Sequence, residues 1–237
     1  MEKERLMVKV CGMRDAVNID AVAKLGVDMI GFVFYEKSPR FVSMVDSLAG
    51  FLPNYTEVQF RERMNPSDSV ITGCLPKRVG VFVNAIPQTI ITHVYNYQLD
   101  YVQLHGQESG IMIENLRKTI DPDIRPNLKF IKALNINIVE DIERSKEYDG
   151  VVDMFLFDAS CDMGGGSGEH FNWDLLQAYA GTTPFLLSGG IGPEDADIIK
   201  QLNHPGLVGV DLNSRFEIKP GLKNVELLQE FIQTVRK

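Results

Sequence analysis

Cys11 closes the apolar run Met7-Val8-Lys9-Val10, and Asp158 closes another, Met154-Phe155-Leu156-Phe157. A thiol and a carboxyl at such positions form a candidate pair for moving protons. A free cysteine of pKa ~8.5 is only a few per cent thiolate at neutral pH, so a basic role requires positive surroundings. Arg14 and Arg40 are the residues expected to supply them. A carboxyl half-desolvated at the end of an apolar strand rises in pKa and becomes a better proton donor. Each group also has a plainer reading, Cys11 as a small buried thiol and Asp158 as the cap of the following turn.

Two further segments suit an anion. Ser188-Gly189-Gly190 and Asp211-Leu212-Asn213-Ser214 follow apolar runs, and missing side chains let a phosphate reach backbone N–H groups. The alternative is a pair of tight turns. Gly164-Gly165-Gly166-Ser167-Gly168 is flexible enough to close over a ligand. No Walker-type G-x-x-x-x-G-K-[ST] is present, so nucleotide hydrolysis gains no support. The four histidines, His93, His105, His170 and His204, lack metal-ligand spacing, and neither a metal nor a cofactor is expected. His105 ends a strand-like run and either lines a pocket or packs as a structural histidine.

These residues converge only if the right elements carry them. Short β-branched and apolar runs predict strands near 6–11, 27–34, 78–83, 100–105, 128–133, 153–158, 184–188 and 207–211. Runs such as Val79-Gly80-Val81-Phe82-Val83, apolar on both faces, suit a parallel sheet covered on both sides. Between them lie helix signals. Asp15 caps a helix with Ile19, Val22 and Ala23 on one face, ended by Gly26. Pro193 opens a helix with Ile198, Ile199 and Leu202 on its apolar side, and Val225, Leu228, Phe231, Ile232 and Val235 stripe the last one.

Eight strand–helix units of about 30 residues predict an α/β fold, a single (β/α)8 TIM barrel spanning 1–237. A doubly wound sheet is the alternative, but Cys11-Gly12-Met13-Arg14 after the first strand is not its glycine fingerprint. The polar stretch at about 55–77 predicts a surface insertion between the second and third strands. In such a barrel the strand C-termini carry the site.

Composition narrows the function. The 237 residues carry 24 Lys plus Arg against 32 Asp plus Glu, a net charge of −8, which argues against nucleic acid or an anionic membrane as partner. No apolar run approaches the roughly 20 residues of a membrane span. Three scattered cysteines, Cys11, Cys74 and Cys161, suit neither a disulfide scaffold nor a zinc cage, and with no signal peptide at the N-terminus the expected compartment is the cytoplasm. No exposed apolar stripe stands out, and a monomer is expected.

Lys9-Val10-Cys11-Gly12, Lys37-Ser38-Pro39-Arg40, Gly80-Val81-Phe82-Val83-Asn84, Gln103-Leu104-His105-Gly106, Gly165-Gly166-Ser167-Gly168, Ser188-Gly189-Gly190 and Pro220-Gly221-Leu222-Lys223 run in order along the chain. In that combination the sequence resembles the phosphoribosylanthranilate isomerase family. The resemblance implies a cofactor-free Amadori rearrangement of a small phosphosugar substrate in tryptophan biosynthesis. It implies Cys11 as general base, Asp158 as general acid and Arg40 facing the anthranilate carboxylate. The phosphate grip falls to Gly189, Gly190, Asp211, Asn213 and Ser214. The eighth-strand loop departs from the family pattern D-x-S-S-G-x-E, with Asn213 and Arg215 where serine and glycine are usual. Other readings are a histidine-pathway isomerase of similar fold, which places aspartate where Cys11 stands, a non-catalytic phosphoribosyl binder, and a redox thiol protein. A doubly anionic substrate further predicts a positive mouth built from Arg14, Lys37, Arg40 and Arg215.

Overall fold

The computed structural model describes residues 5–43, 75–159 and 173–237. Eight parallel strands close into a barrel in chain order: β1 (Met7–Val10), β2 (Met29–Val33), β3 (Lys77–Phe82), β4 (Tyr101–Leu104), β5 (Lys129–Asn135), β6 (Met154–Asp158), β7 (Phe185–Ser188) and β8 (Leu207–Leu212). The closing pair sets Lys9 opposite Asp211 and Val10 opposite Leu212. That pairing of the first and last strands excludes the open, doubly wound sheet.

The alternation of side chains along each strand builds two cores. Val8 and Val10, Phe155 and Phe157 point outward into the shell beneath the helices. Met29, Val79, Ile131, Ala133, Met154, Leu156 and Leu186 fill the barrel itself. The same alternation turns Lys9 and Cys11 inward on β1, and Asp158 inward at the end of β6.

The covering helices are α1 (Ala16–Ala23), α2 (Pro87–Tyr97), α3 (Gly110–Ile120), α4 (Val139–Glu143), α5 (Ala196–Gln201) and α6 (Val225–Val235). Asp15 caps α1 by accepting from Asn18 N–H at 2.8 Å, a bond worth ~1 kcal/mol. On α6, Leu228, Phe231, Ile232 and Val235 are buried, each contributing ~1.5–3 kcal/mol. The helix expected at Pro193 begins as a 3-10 turn, Pro193–Asp195, before α5. Only Ile199 of its expected stripe is fully buried, and Ile198 is half exposed. The tight first turn rotates the helix phase and carries Ile198 off the core side.

After β8 the chain makes a hairpin, β9 (Glu217–Lys219) and β10 (Leu222–Lys223), before α6. Asn18 of α1 laces it down, accepting from Lys223 N–H at 2.8 Å and donating to Lys223 C=O at 2.9 Å. At the opposite end of the barrel Asp28 accepts from Val8 N–H at 2.8 Å and Arg236 Nη2 at 2.6 Å, and pairs with Arg5. Most of the expected insertion lies outside the described residues, but Lys77 opens β3 and belongs to the barrel.

Candidate active site

Cys11, Asp158, Ser188 and Asp211 lie at the C-terminal ends of β1, β6, β7 and β8, on one rim. The register carries the ring around the wall. Asp158 pairs with Ser188, Leu187 with Val210, and Lys9 with Asp211. From β6 to β1 is three strand spacings of about 4.8 Å, so Cys11 and Asp158 face each other over part of an eight-stranded lumen. Asp211 stands between them, and its charge is felt at both Cys11 and Asp158.

Cys11 is buried, and its Sγ lies over β2 where Gly31 has no side chain; a Cβ there would stand 2.8 Å from the sulfur. Of the two cations expected beside it, Arg40 is electrostatically coupled to the thiol, but Arg14 is not. Arg14 turns away and donates to Pro39 C=O at 3.2 Å. Lys9, fully buried, meets Asp211 Oδ1 at 2.8 Å and also reaches the thiol. The contact with Asp211 lies off the hydrogen-bond axis, leaving both atoms with bonding capacity inside the barrel. Lys223 acts on the thiol from β10. Burial pulls the Lys9 ammonium down, but Asp211 and Cys11 outweigh it and leave its pKa raised. Burial pushes the Cys11 thiol up, against the pull of Lys9 and Lys223. Burial likewise pushes Asp211 up against the pull of Lys9.

Arg40 has a carboxylate within the protein. Its Nε donates to both oxygens of Glu217 at 2.9 and 3.1 Å, and Nη2 donates at 2.5 Å. Glu217 also accepts from Lys223 Nζ at 2.7 Å and Gly221 N–H at 3.0 Å. Burial pushes the Glu217 carboxyl up, but these donors prevail and hold it below its ordinary value. Lys223 in turn donates to Asn213 Oδ1 at 2.7 Å. Arg40 and Asn213 close over Gly12, whose φ of +78° and lack of a side chain the crossing requires; a Cβ there would meet Arg40 Cδ at 2.5 Å.

The expected positive mouth is therefore corrected. Arg40 is paired with Glu217, and Arg215 points outward to Glu194. Positive charge sits deeper instead, in Lys9, Lys223 and Arg40, against the carboxylates of Asp211 and Glu217.

The two loops expected to suit an anion fall on the same rim. Gly189 and Gly190 have φ of +99° and +65°, and where Gly190 would carry a Cβ there is open space. Ser214 is exposed and starts a 3-10 turn after Asn213. Asp211 and Asn213 are turned towards Lys9 and Lys223. His105 Nε2 is 3.5 Å from Asp158 Oδ2. The glycine loop at 164–168, Cys74, Cys161 and His170 lie outside the described residues. Among the described residues, no cluster of three or more His, Cys, Asp or Glu could hold a metal ion.

Lys9, Lys223 and Glu217 escaped the sequence reading. The available signal was parity, because a lysine two residues before an inward cysteine, within an otherwise apolar strand, must share its face. Glu217 gives no such signal, since its partner Arg40 is 177 residues away.

The family model described as N-(5'phosphoribosyl)anthranilate (PRA) isomerase matches residues 8–234. The chain is similar to N-(5'-phosphoribosyl)anthranilate isomerase of Parabacteroides distasonis, at 44% identity over 97% of this chain and 93% of that one. It is also similar to the crystal structure of phosphoribosyl anthranilate isomerase from Thermotoga maritima, at 30% identity and TM-score 0.69, covering 97% and 98% of the two chains. A further crystal structure of a phosphoribosyl anthranilate isomerase, in complex with reduced 1-(o-carboxyphenylamino)-1-deoxyribulose 5-phosphate, matches at 27% identity and TM-score 0.69, covering 97% and 98%.

Proposed function

Because the chain belongs to the N-(5'-phosphoribosyl)anthranilate isomerase family, we propose that it converts N-(5'-phosphoribosyl)anthranilate to 1-(2-carboxyphenylamino)-1-deoxyribulose 5-phosphate, a step of tryptophan biosynthesis. The observation that carries the residue roles is the placement of Cys11 and Asp158 on one rim, with Asp211 between them.

Asp158 protonates the ribose ring oxygen, and the ring opens to an iminium. Cys11, as thiolate, removes the proton from C2 to give an enolamine, which tautomerises to the ketone. Lys9 and Lys223 favour the thiolate against burial. Arg40 meets the anthranilate carboxylate through Nη1, the nitrogen that Glu217 does not engage. The phosphate binds the backbone of Gly189 and Gly190 with Ser214 at the same rim, while Asp211 and Asn213 act from beneath through Lys9 and Lys223.

We take the protein as one barrel domain acting on a small molecule as a cytoplasmic monomer. In support, the exposed large apolar residues are spread over separate elements, among them Val17, Tyr95, Ile111 and Ile218. No helix among the described residues is long and apolar enough to cross a membrane. The decisive test follows the loss of phosphoribosylanthranilate fluorescence with purified protein. Wild type should turn over, and Cys11→Ala and Asp158→Asn should each lose at least about 10²-fold while remaining folded. Normal turnover by Cys11→Ala refutes the base assignment.

A further inference from the structure

Each cycle of the proposed rearrangement leaves two enzyme groups exchanged. Asp158 has given a proton to the ring oxygen, and Cys11 has taken one from C2. The enolamine then loses one proton from oxygen and gains one on carbon, with no net change. The next cycle therefore needs one proton returned to Asp158 and one removed from Cys11. Cys11 and Asp158 lie three strands apart with Asp211 between them, so Asp158 needs its own route to solvent.

His105 touches both ends of such a route. Its Nε2 is 3.5 Å from Asp158 Oδ2, and its side chain is 28% exposed. The backbone on either side of it is clamped by a buried ion pair. Lys132 Nζ donates to Leu104 C=O at 3.3 Å, to Gly106 C=O at 2.6 Å and to Glu108 Oε2 at 3.1 Å. Glu108 accepts from Gly106 N–H at 2.9 Å and Asn84 N–H at 2.7 Å, and His105 N–H donates to Phe82 C=O at 2.8 Å. Burying two charges is unfavourable without such satisfied bonds. Here the bonds fix the residues directly before and after His105.

We propose that His105 is a positioning and proton-relay residue of this site, held to that task by Lys132 and Glu108. As imidazolium it passes its Nε2 proton to the Asp158 carboxylate after product leaves and regains one from water. Cys11 releases one proton to solvent, so the enzyme returns to its starting charge. Asp211 of β8 feels the charge of Asp158 and is itself tied to Lys9 and, through it, to Cys11. The proposal rests on the isomerase reading.

The test measures kcat and kcat/KM for wild type, His105→Ala and His105→Asn, with and without added imidazole. A reset step slows kcat and spares kcat/KM, because it acts on the enzyme after product release. We expect kcat of His105→Ala to fall about 10²-fold, kcat/KM to stay within about threefold, and imidazole to restore kcat. His105→Asn should show the same split without rescue. Full kcat in either variant, or joint loss of kcat and kcat/KM without an imidazole response, overturns the relay. Should His105→Ala fail to fold by circular dichroism, the split in His105→Asn decides alone. Wild type without turnover overturns the isomerase reading and the relay together.

Discussion

Replacing Lys9 by methionine keeps the volume of a fully buried side chain and removes its charge. Asp211 then stays inside the barrel at 5% side-chain exposure without the ammonium 2.8 Å away. Breaking a buried pair by removing one partner costs about 3–5 kcal/mol, and no solvent screening reduces it here. A ceiling follows from proton uptake. The stranded carboxylate can be neutralised, and protonating a carboxyl of ordinary pKa ~3.9 at pH 7 costs about 4 kcal/mol. The expected loss is therefore about 3–4 kcal/mol at pH 7. The sign with pH is fixed by the same argument. A carboxyl whose folded pKa is raised stabilises the fold below its unfolded pKa and loses that contribution as pH rises. The gap between Lys9→Met and wild type should accordingly narrow towards pH 4. Urea unfolding at pH 4 to 8 measures it, and Lys9→Met with Asp211→Asn should recover most of the loss. A loss below about 1 kcal/mol at pH 7, or a gap that does not move with pH, refutes the buried pair as drawn.

Gly31→Ala should lower kcat about tenfold with the fold intact, because its Cβ would stand 2.8 Å from Cys11 Sγ and displace the thiol; kinetics beside a thermal melt checks this. Glu217→Gln should raise KM more than it lowers kcat, since Arg40 loses its anchoring charge. The same variant should lose less stability in acid than wild type. A carboxyl held low contributes above its unfolded pKa and loses that contribution as pH falls through its folded value, so urea midpoints between pH 5 and 2.5 measure it. Arg40→Ala should reduce kcat/KM at least about tenfold, and an unchanged value in the fluorescence assay counts against its carboxylate role.

The barrel was legible because its signals are local. Apolar strand runs, the Asp15 cap and the α6 stripe depend on neighbours within a few residues, and each strand lies within a residue or two of its expected place. Ile198 went wrong for an equally local reason, a 3-10 turn that shifts the helix phase. The site was legible only in part. Cys11 and Asp158 are marked by where their strands end. Lys9 acts on Cys11 from the same face of the same strand, whereas Lys223 on Cys11 and Glu217 on Arg40 are pairings made between distant segments. Sequence separation hides such pairs; of the two arginines expected to serve Cys11, Arg40 is coupled to it and Arg14 turns to Pro39. The glycine signals at 189 and 190 survived because positive φ is a property of the residue itself.

Asp28 gathers Arg5, the Val8 amide and Arg236 onto one carboxylate at the end of the barrel away from the rim. The circle is thus fastened at its floor by groups that take no part in chemistry. Loops at the rim can change without loosening the hoop beneath them. Diversification of the upper face and durability of the lower one are mechanically uncoupled, and a designer could recut the mouth while leaving this buckle untouched.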